Sequence, residues 1–407
     1  MDGLVIGVDL RDACTRISCR EPDKTWVIPT VICKNKTKDE WYVDEEAYAH
    51  TLVGDGVMED KLLTQVIKDG TATIEGVRYE GLFLLKMFLK KALELPQKEA
   101  GAAPIESLVF VIGELNVRLM DGLMYCADFL QIDRSRVHVI SRTESFVYYV
   151  MSQKREVWSN QVGMFDLSED SLRYYEMKVQ RGLRQMQVAA DREDLEESFH
   201  LDVLESQAGA RLADRILCSC ADRLLQKRLF SAILLTGKGF DNTDWAPEFM
   251  RQICSRRRVF VEADLFSRGA LFKAEDSLQE KSSYAFTCLC EGRLKTTVSV
   301  RVLARDRESQ LTLAAAGDNW YEAKSTTEFI VTGTPELELT VAPQDPRKKK
   351  LVKIGLSEFP KRPDRTTRIS LSLGFSGEKT MIVVIKDLGF GELFPASDRV
   401  IRQEVSL

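Results

Sequence analysis

Histidine is almost absent from this chain: three residues, His50, His138 and His200, in a sequence of 407. So widely separated, they give no spacing of the kind that builds a histidine-rich metal centre. Cysteine is more frequent but wrongly spaced for that purpose. There are nine, an odd number, and the pairs Cys218/Cys220 and Cys288/Cys290 read C-x-C rather than the C-x-x-C of zinc and redox sites. On a strand this spacing puts both thiols on one face, which predicts packing. No stretch reaches the roughly 18 uninterrupted apolar residues of a membrane span. The opening MDGLVIGVDLRDACTR has neither the basic flank nor the apolar length of a signal peptide. The expectation is therefore a cytoplasmic chain with no membrane partner. Positive charge is not in excess either: 57 Lys and Arg face 62 Asp and Glu, a net charge of -5. That balance leaves no electrostatic footprint for nucleic acid.

What is present is a multi-domain globular pattern, since the length and the 44% hydrophobic content exceed a single ordinary core. LVIGVD (4–9) and TRISC (15–19) are short β-like runs around a polar turn, and WVIPTVIC (26–33) is a third, interrupted at Pro29. From Asp44 to about Leu95 the spacing predicts helix, clearest in YEGLFLLKMFLKKALEL (79–95). Strand, helix, strand and helix follow over 107–154, the rhythm of a largely parallel α/β sheet. QVGMFDLSEDSLRYYEMKVQ (161–180) repeats the opening's strand, acidic turn and strand. Residues 190–228 read as a long helical region; strands near 231–237 and 257–263 alternate with helices at 245–254 and 265–275. Beyond Asp276 the pattern becomes alternating β, as in TTVSVRVLA (296–304) and RISLSLGFS (368–376). The expected domains are 1–275 and 276–407, with the boundary near 276–284.

This order of pieces resembles the sugar-kinase, chaperone and actin superfamily, and among its members the DnaK-type heat-shock chaperones. The resemblance rests on GVDLRDACTRIS (7–18), MFDLSEDSLRYY (164–175), IPTVICKNKTKDEWYVDEEAYAH (28–50), SRTESFVYYVM (141–151), LLTGKGF (234–240), DLFSRGALFKA (264–274) and the C-terminal stretch 354–389. It implies an α/β, two-lobed actin-like ATPase fold with a C-terminal β-sandwich domain that takes a peptide or protein partner. It implies ATP or ADP with magnesium as cofactor. Asp9 and Asp166 match the hairpin aspartates that hold hydrated metal, and Glu144 matches the acid near the attacking water. Thr15, Ser171, Gly237 and Gly239 match the nucleotide-binding turns.

The phosphate turns themselves depart from the family. A phosphate cradle needs glycine, so that the backbone approaches the oxygens and aims its N–H groups at them. Here the first turn carries Arg11, Asp12 and Ala13, and the second carries Ser168, Glu169 and Asp170. Asp12, Glu169 and Asp170 are expected to repel a triphosphate, each like-charge pair at ~5 Å and an effective dielectric of ~20 costing roughly 3 kcal/mol. The expected function is a chaperone-like binding or scaffold protein with a hydrolysis-deficient ATPase domain. The alternatives are an active ATP-hydrolysing chaperone, motivated by Asp9, Glu144 and Asp166, and, ranked last, a small-molecule phosphotransferase. Arg256–Arg258 and Arg347–Lys350 read as solvated turns. Tyr148, Tyr149, Tyr174 and Tyr175 read as core, and Trp245 as either helix-start packing or a contact to a base.

Overall fold

The computed structural model describes residues 3–169, 171–180, 186–304, 307–333, 335–343 and 346–407. It is mixed α/β with several sheets, and the chain divides into two compact units, Met1–Phe286 and Thr287–Leu407. Among the described residues no helix is long and apolar enough to cross a membrane.

The first unit is built on two sheets of one pattern. In the first, β1 (Leu4–Leu10), β2 (Cys14–Cys19) and β3 (Lys24–Pro29) form an antiparallel meander. β4 (Ile105–Ile112) and β5 (Val137–Ser141) add to it in parallel, in the order β5-β4-β1-β2-β3. In the second, β6 (Gln161–Leu167), β7 (Leu172–Gln180) and β8 (Met186–Asp194) repeat the meander, and β9 (Phe230–Thr236) and β10 (Arg258–Val261) the parallel pair, so that five of its strands run in the order β10-β9-β6-β7-β8. The central strands β1, β4, β6 and β9 carry continuous apolar runs because helices cover both faces of a parallel sheet.

Among the described residues eight α-helices complete this unit: α1 (Asp44–Val53), α2 (Leu62–Ile67), α3 (Gly81–Glu99), α4 (Val117–Phe129), α5 (Arg142–Ser152), α6 (Gln207–Leu225), α7 (Pro247–Ile253) and α8 (Leu265–Ser277). α5 and α8 cross closely. A Cβ on Gly269 would lie 2.1 Å from the Ser145 carbonyl oxygen, and the Ser145 hydroxyl donates to the Phe266 carbonyl at 2.6 Å. Only glycine permits that approach.

Two helical expectations fail. The stretch 44–95 is not continuous helix: a strand at Gly56–Glu59 and a hairpin pairing Thr71–Ile74 with Val77–Glu80 interrupt it. Gly54 and Gly76, both at positive φ, end the local regularity there. The stretch 190–228 begins as a strand, because Val188 and Ala190 sit buried on β8 opposite Val179 and Met177 of β7. The residues after α8 stay with the first unit. Asp276 accepts from the Ser282 hydroxyl and the Ser283 N–H, and Tyr284 and Phe286 pack against Tyr148 at 5.5 and 5.8 Å. The expected boundary segment 276–284 is thus an ordered part of that unit.

Among its described residues the second unit contains two four-stranded antiparallel sheets. One has β11 (Thr296–Ala304), β12 (Arg307–Ala314), β14 (Glu336–Pro343) and β15 (Lys350–Gly355) in the order β12-β11-β14-β15. The other has β13 (Ser325–Ile330), β16 (Arg368–Gly377), β17 (Thr380–Gly389) and β18 (Val400–Ser406) in the order β13-β16-β17-β18. β12, β15 and β18 escape the sequence reading because each carries charged residues among few apolar ones.

Candidate functional site

Asp9 and Asp166 occupy equivalent positions in the two sheets of the first unit. Each is the next-to-last residue of the strand that starts its meander. Each pairs with an arginine across the hairpin, Arg16 or Arg173, and with a residue of the parallel neighbour, Val111 or Thr236. Both are buried, at 1% and 0% exposure. A carboxylate so placed needs a cation or hydrogen bonds to replace its water.

Arg11 supplies both. Its Nε donates to Asp9 Oδ2 at 2.9 Å and its Nη1 donates to Ser168 Oγ at 3.0 Å. The Ser168 hydroxyl donates in turn to Asp166 Oδ1 at 3.0 Å. One side chain from the first hairpin turn thereby ties both buried aspartates together. A second buried guanidinium, Arg142 at the start of α5, places its Nε 3.7 Å from Asp9 Oδ1. The guanidinium carbons of Arg11 and Arg142 lie 5.5 and 5.7 Å from the centre of the Phe266 ring, which holds them by a cation–π contact. The Phe266 ring packs on Tyr175 at 5.8 Å.

Two guanidiniums and two carboxylates make the cluster formally neutral. Burial alone would raise the Asp9 carboxyl, but the charges of Arg11 and Arg142 and the Arg11 hydrogen bond outweigh it and hold Asp9 below its ordinary value. Burial lowers Arg142, helped by the neighbouring Arg11 charge. The Tyr175 hydroxyl is pushed up, by burial first and by the Asp166 charge second. Hydrogen bonding is incomplete. Asp9 Oδ1, Asp166 Oδ2, Arg142 Nε, Tyr175 OH and Thr236 Oγ1 are buried without a hydrogen-bond partner among the described residues.

The other residues singled out from the sequence fall as follows. Glu144 is buried on the first turn of α5, and the Ser141 hydroxyl accepts its N–H at 3.1 Å, as in a capping box. Thr15 is buried with its hydroxyl 2.8 Å from that of Thr30. The Ser171 carbonyl accepts the Ser168 N–H at 2.9 Å and closes the second turn. Gly237 adopts φ 95 and ψ 158, and a Cβ there would lie 2.4 Å from the Leu167 carbonyl oxygen. Gly239 abuts the Leu167 and Leu201 side chains. These two glycines press the turn after β9 onto the end of β6. Trp245 donates from its indole to the Gly239 carbonyl at 3.0 Å and stacks on Phe240, so it is packed at the start of α7. The four tyrosines are buried, as expected.

The acidic residues behave differently from the expectation. Asp12 does not face the aspartate cluster as a repelling charge: its Oδ1 accepts the N–H groups of Leu63 at 2.9 Å and Thr64 at 3.3 Å, and its Oδ2 accepts the Thr64 hydroxyl. A helix start leaves such N–H groups unsatisfied, and a carboxylate from elsewhere in the chain caps it. Glu169 is exposed and pairs with Lys238 at 3.0 Å. Asp170 lies outside the described residues. No group of three or more His, Cys, Asp or Glu side chains able to hold a metal occurs among the described residues. The positions assigned to a metal-holding pair, Asp9 and Asp166, are bridged by Arg11 and Ser168, a donor set that does not fit a hydrated cation.

Sequence reasoning missed Arg142, placed Tyr175 in the core without linking it to the aspartates, and saw Arg11 only as a lost glycine. The one available signal for Arg142 was a cation set between a buried strand and the apolar helix SFVYYVM.

Comparison with known proteins gives two family models. Residues 13–291 match the C-terminal model of a family of unknown function (DUF5716), and residues 293–407 match a domain of unknown function (DUF8552). No curated protein matches the chain.

Proposed function

Taking as premise that the chain belongs to the DUF5716 family, we propose that it is a chaperone-like binding or scaffold protein on an actin-like, DnaK-type domain that has given up nucleotide hydrolysis. The observation that carries this reading is the Arg11 bridge. Where the related fold would hold a metal-bound phosphate between two aspartates, this chain holds its own guanidinium, hydrogen-bonded at 2.9 and 3.0 Å to both hairpins. An internal cation is already at local concentration and needs no ligand to neutralise Asp9.

The assignment of an actin-like fold is supported by two sheets in which five strands follow one order and one sequence of antiparallel and parallel pairings. The assignment of a partner to the β-rich unit is supported by a groove of about 940 Å3 within it, lined by Val300 and Leu303 of β11, Phe329 and Ile330 of β13 and Leu337 of β14. β13 ends its sheet, so its free edge can accept an added strand.

A second reading, an active ATPase of the same type, draws on the retained Asp9, Glu144 and Asp166 and on Asp9 Oδ1 and Asp166 Oδ2, which accept no hydrogen bond among the described residues. Nucleotide would then have to displace Arg11. Calorimetry with ATP and ADP, with and without magnesium, beside a phosphate-release assay, separates the two. The proposed reading expects no saturable binding and no turnover above background. Turnover that Asp9→Ala or Glu144→Ala abolishes would overturn it.

A further inference from the structure

β9 and β10 are parallel neighbours, with Ala232 opposite Arg258. The turns that lead into them from α6 and α7 therefore emerge side by side on one edge of the sheet. Both turns are basic: Lys227 and Arg228 precede β9, and Arg256 and Arg257 precede β10. Read separately, each is an ordinary solvated turn. Brought together, they line one cleft of about 670 Å3, whose walls also include Leu225, Leu229 and Gln252.

The charge in this cleft is not internally balanced. Arg228 is spent on Glu176, but Lys227, Arg256 and Arg257 have no ion-pair partner among the described residues. The acid in the lining, Asp222, accepts from Gln252 Nε2 at 2.6 Å and pairs with none of the three. A local surplus of cations in a chain of net charge -5 is a field that selects anions. Apolar surface is offered at the same place: Leu229, next to Arg228 in the first basic turn, lines the cleft and is 78% exposed, while Leu225 and Phe230 of the lining are buried.

We infer that this cleft is a docking site for an acidic peptide segment of a partner protein, one that carries an aliphatic side chain beside its carboxylates. The carboxylates meet Lys227, Arg256 and Arg257, and the aliphatic group covers Leu229. Two features favour a peptide over nucleic acid. The cations form a compact cluster rather than a track along the surface, and the only aromatic residue in the lining, Phe230, is buried and offers no face to a base. The exposed leucine favours a peptide over a bare oxyanion, which would gain nothing from it. The lining of this cleft comes from the first unit alone.

The test is fluorescence anisotropy on the full chain with a short labelled peptide of alternating glutamate and leucine. Controls are the same peptide with glutamine for glutamate, a labelled single-stranded oligonucleotide, and inorganic phosphate as competitor. Expected are saturable binding of the acidic peptide, weakening with salt, and about tenfold loss in the double variant Arg256→Glu, Arg257→Glu. Lys227→Gln, on the other turn, should lower affinity by a smaller factor, and Leu229→Ser should weaken binding to the acidic peptide. Circular dichroism of each variant reports its folding. Equal binding of the neutral peptide, or unchanged affinity in the well-folded Arg256→Glu, Arg257→Glu protein, would overturn the inference. So would tighter binding of the oligonucleotide that is lost in the same variants, or displacement by phosphate with no effect of Leu229→Ser.

Discussion

Arg11 donates to the hydroxyl of Ser168 at 3.0 Å across 157 positions of the chain. The bond joins the turn of the first meander to the turn of the second, and the Asp9 and Asp166 carboxylates close it at either end. A residue that looks in the sequence like a departure from a phosphate turn is in the structure the tie between the two hairpins. The distinction matters for the neighbouring acid, Asp12, whose role the structure moves away from the cluster altogether.

Asp12 is predicted to be a stability residue. It caps the first N–H groups of α2, so Asp12→Ala should cost about 0.5–2 kcal/mol, read from urea denaturation. Affinity for magnesium-ATP should stay as it is in the parent. A variant of unchanged stability that gained nucleotide affinity would restore the repulsion reading.

Gly237 and Gly239 should respond unequally to alanine. At Gly237 the φ of 95 and ψ of 158 belong to a region that is essentially glycine-only, and the new Cβ would meet the Leu167 backbone oxygen at 2.4 Å. Strain and overpacking together predict a loss of about 2–5 kcal/mol. At Gly239 the obstacle is side chain rather than backbone, Leu167 Cγ and Cδ2 at 2.4 Å, and no positive-φ strain adds to it, so a smaller loss is expected. Thermal unfolding of both variants checks this, and equal losses would argue against it.

In the second unit Asp387 sits at the centre of a buried network. Arg362 grips both carboxylate oxygens at 2.7 Å, and the Gly389 N–H and the Ser397 N–H and hydroxyl donate to the same group. Burial opposes ionisation, but these donors outweigh it and depress the Asp387 carboxyl far below its ordinary 3.8. A depressed folded value means stability that is fully present above the unfolded value and is lost as pH falls from there toward the folded one. The acid limb of the stability curve, below about pH 4, should therefore be shallower in Asp387→Asn. Arg362→Ala leaves the carboxylate buried without its partner and should cost about 3–5 kcal/mol at neutral pH. An acid limb unchanged by Asp387→Asn would count against this network.

Much of the strand and helix order was legible because periodicity reports burial. The runs at β1, β4, β6 and β9, the helix YEGLFLLKMFLKKALEL and the alternation of β11, β16 and β17 all follow from which face meets the core. The end of β8, from Ala190 on, was read as helix because its charged residues, Asp191, Arg192, Glu193 and Asp194, mask the buried alternation of Val188 and Ala190. The site was legible in its aspartates and not in its arginines. An aspartate near the end of an apolar strand places itself, whereas the direction of a long, flexible side chain such as Arg11 depends on Ser168, which no local pattern links to it. The cap on α2 was hidden for the same reason: Asp12 and Thr64 meet only through the fold.

The last prediction concerns removal of the bridge. Arg11→Gly combined with Ser168→Gly deletes the guanidinium and its relay while leaving Asp12 on its helix. Asp9 then keeps only Arg142, at 3.7 Å, and a buried carboxylate stripped of its partner costs about 3–5 kcal/mol. The variant should unfold at lower temperature than the parent in the absence of metal. If Arg11 stands where a hydrated cation once stood, magnesium should recover part of that loss in the variant and do nothing for the parent, because hard carboxylates bind it only once the guanidinium is gone. Magnesium-ATP should then bind the variant in calorimetry, helped by a turn whose N–H groups glycine frees to face an oxyanion. Denaturation curves with and without magnesium, beside the titration, distinguish the outcomes. A well-folded variant that ignores both magnesium and magnesium-ATP would mean that Arg11 is a structural tie between two sheets and that these hairpins do not descend from phosphate turns.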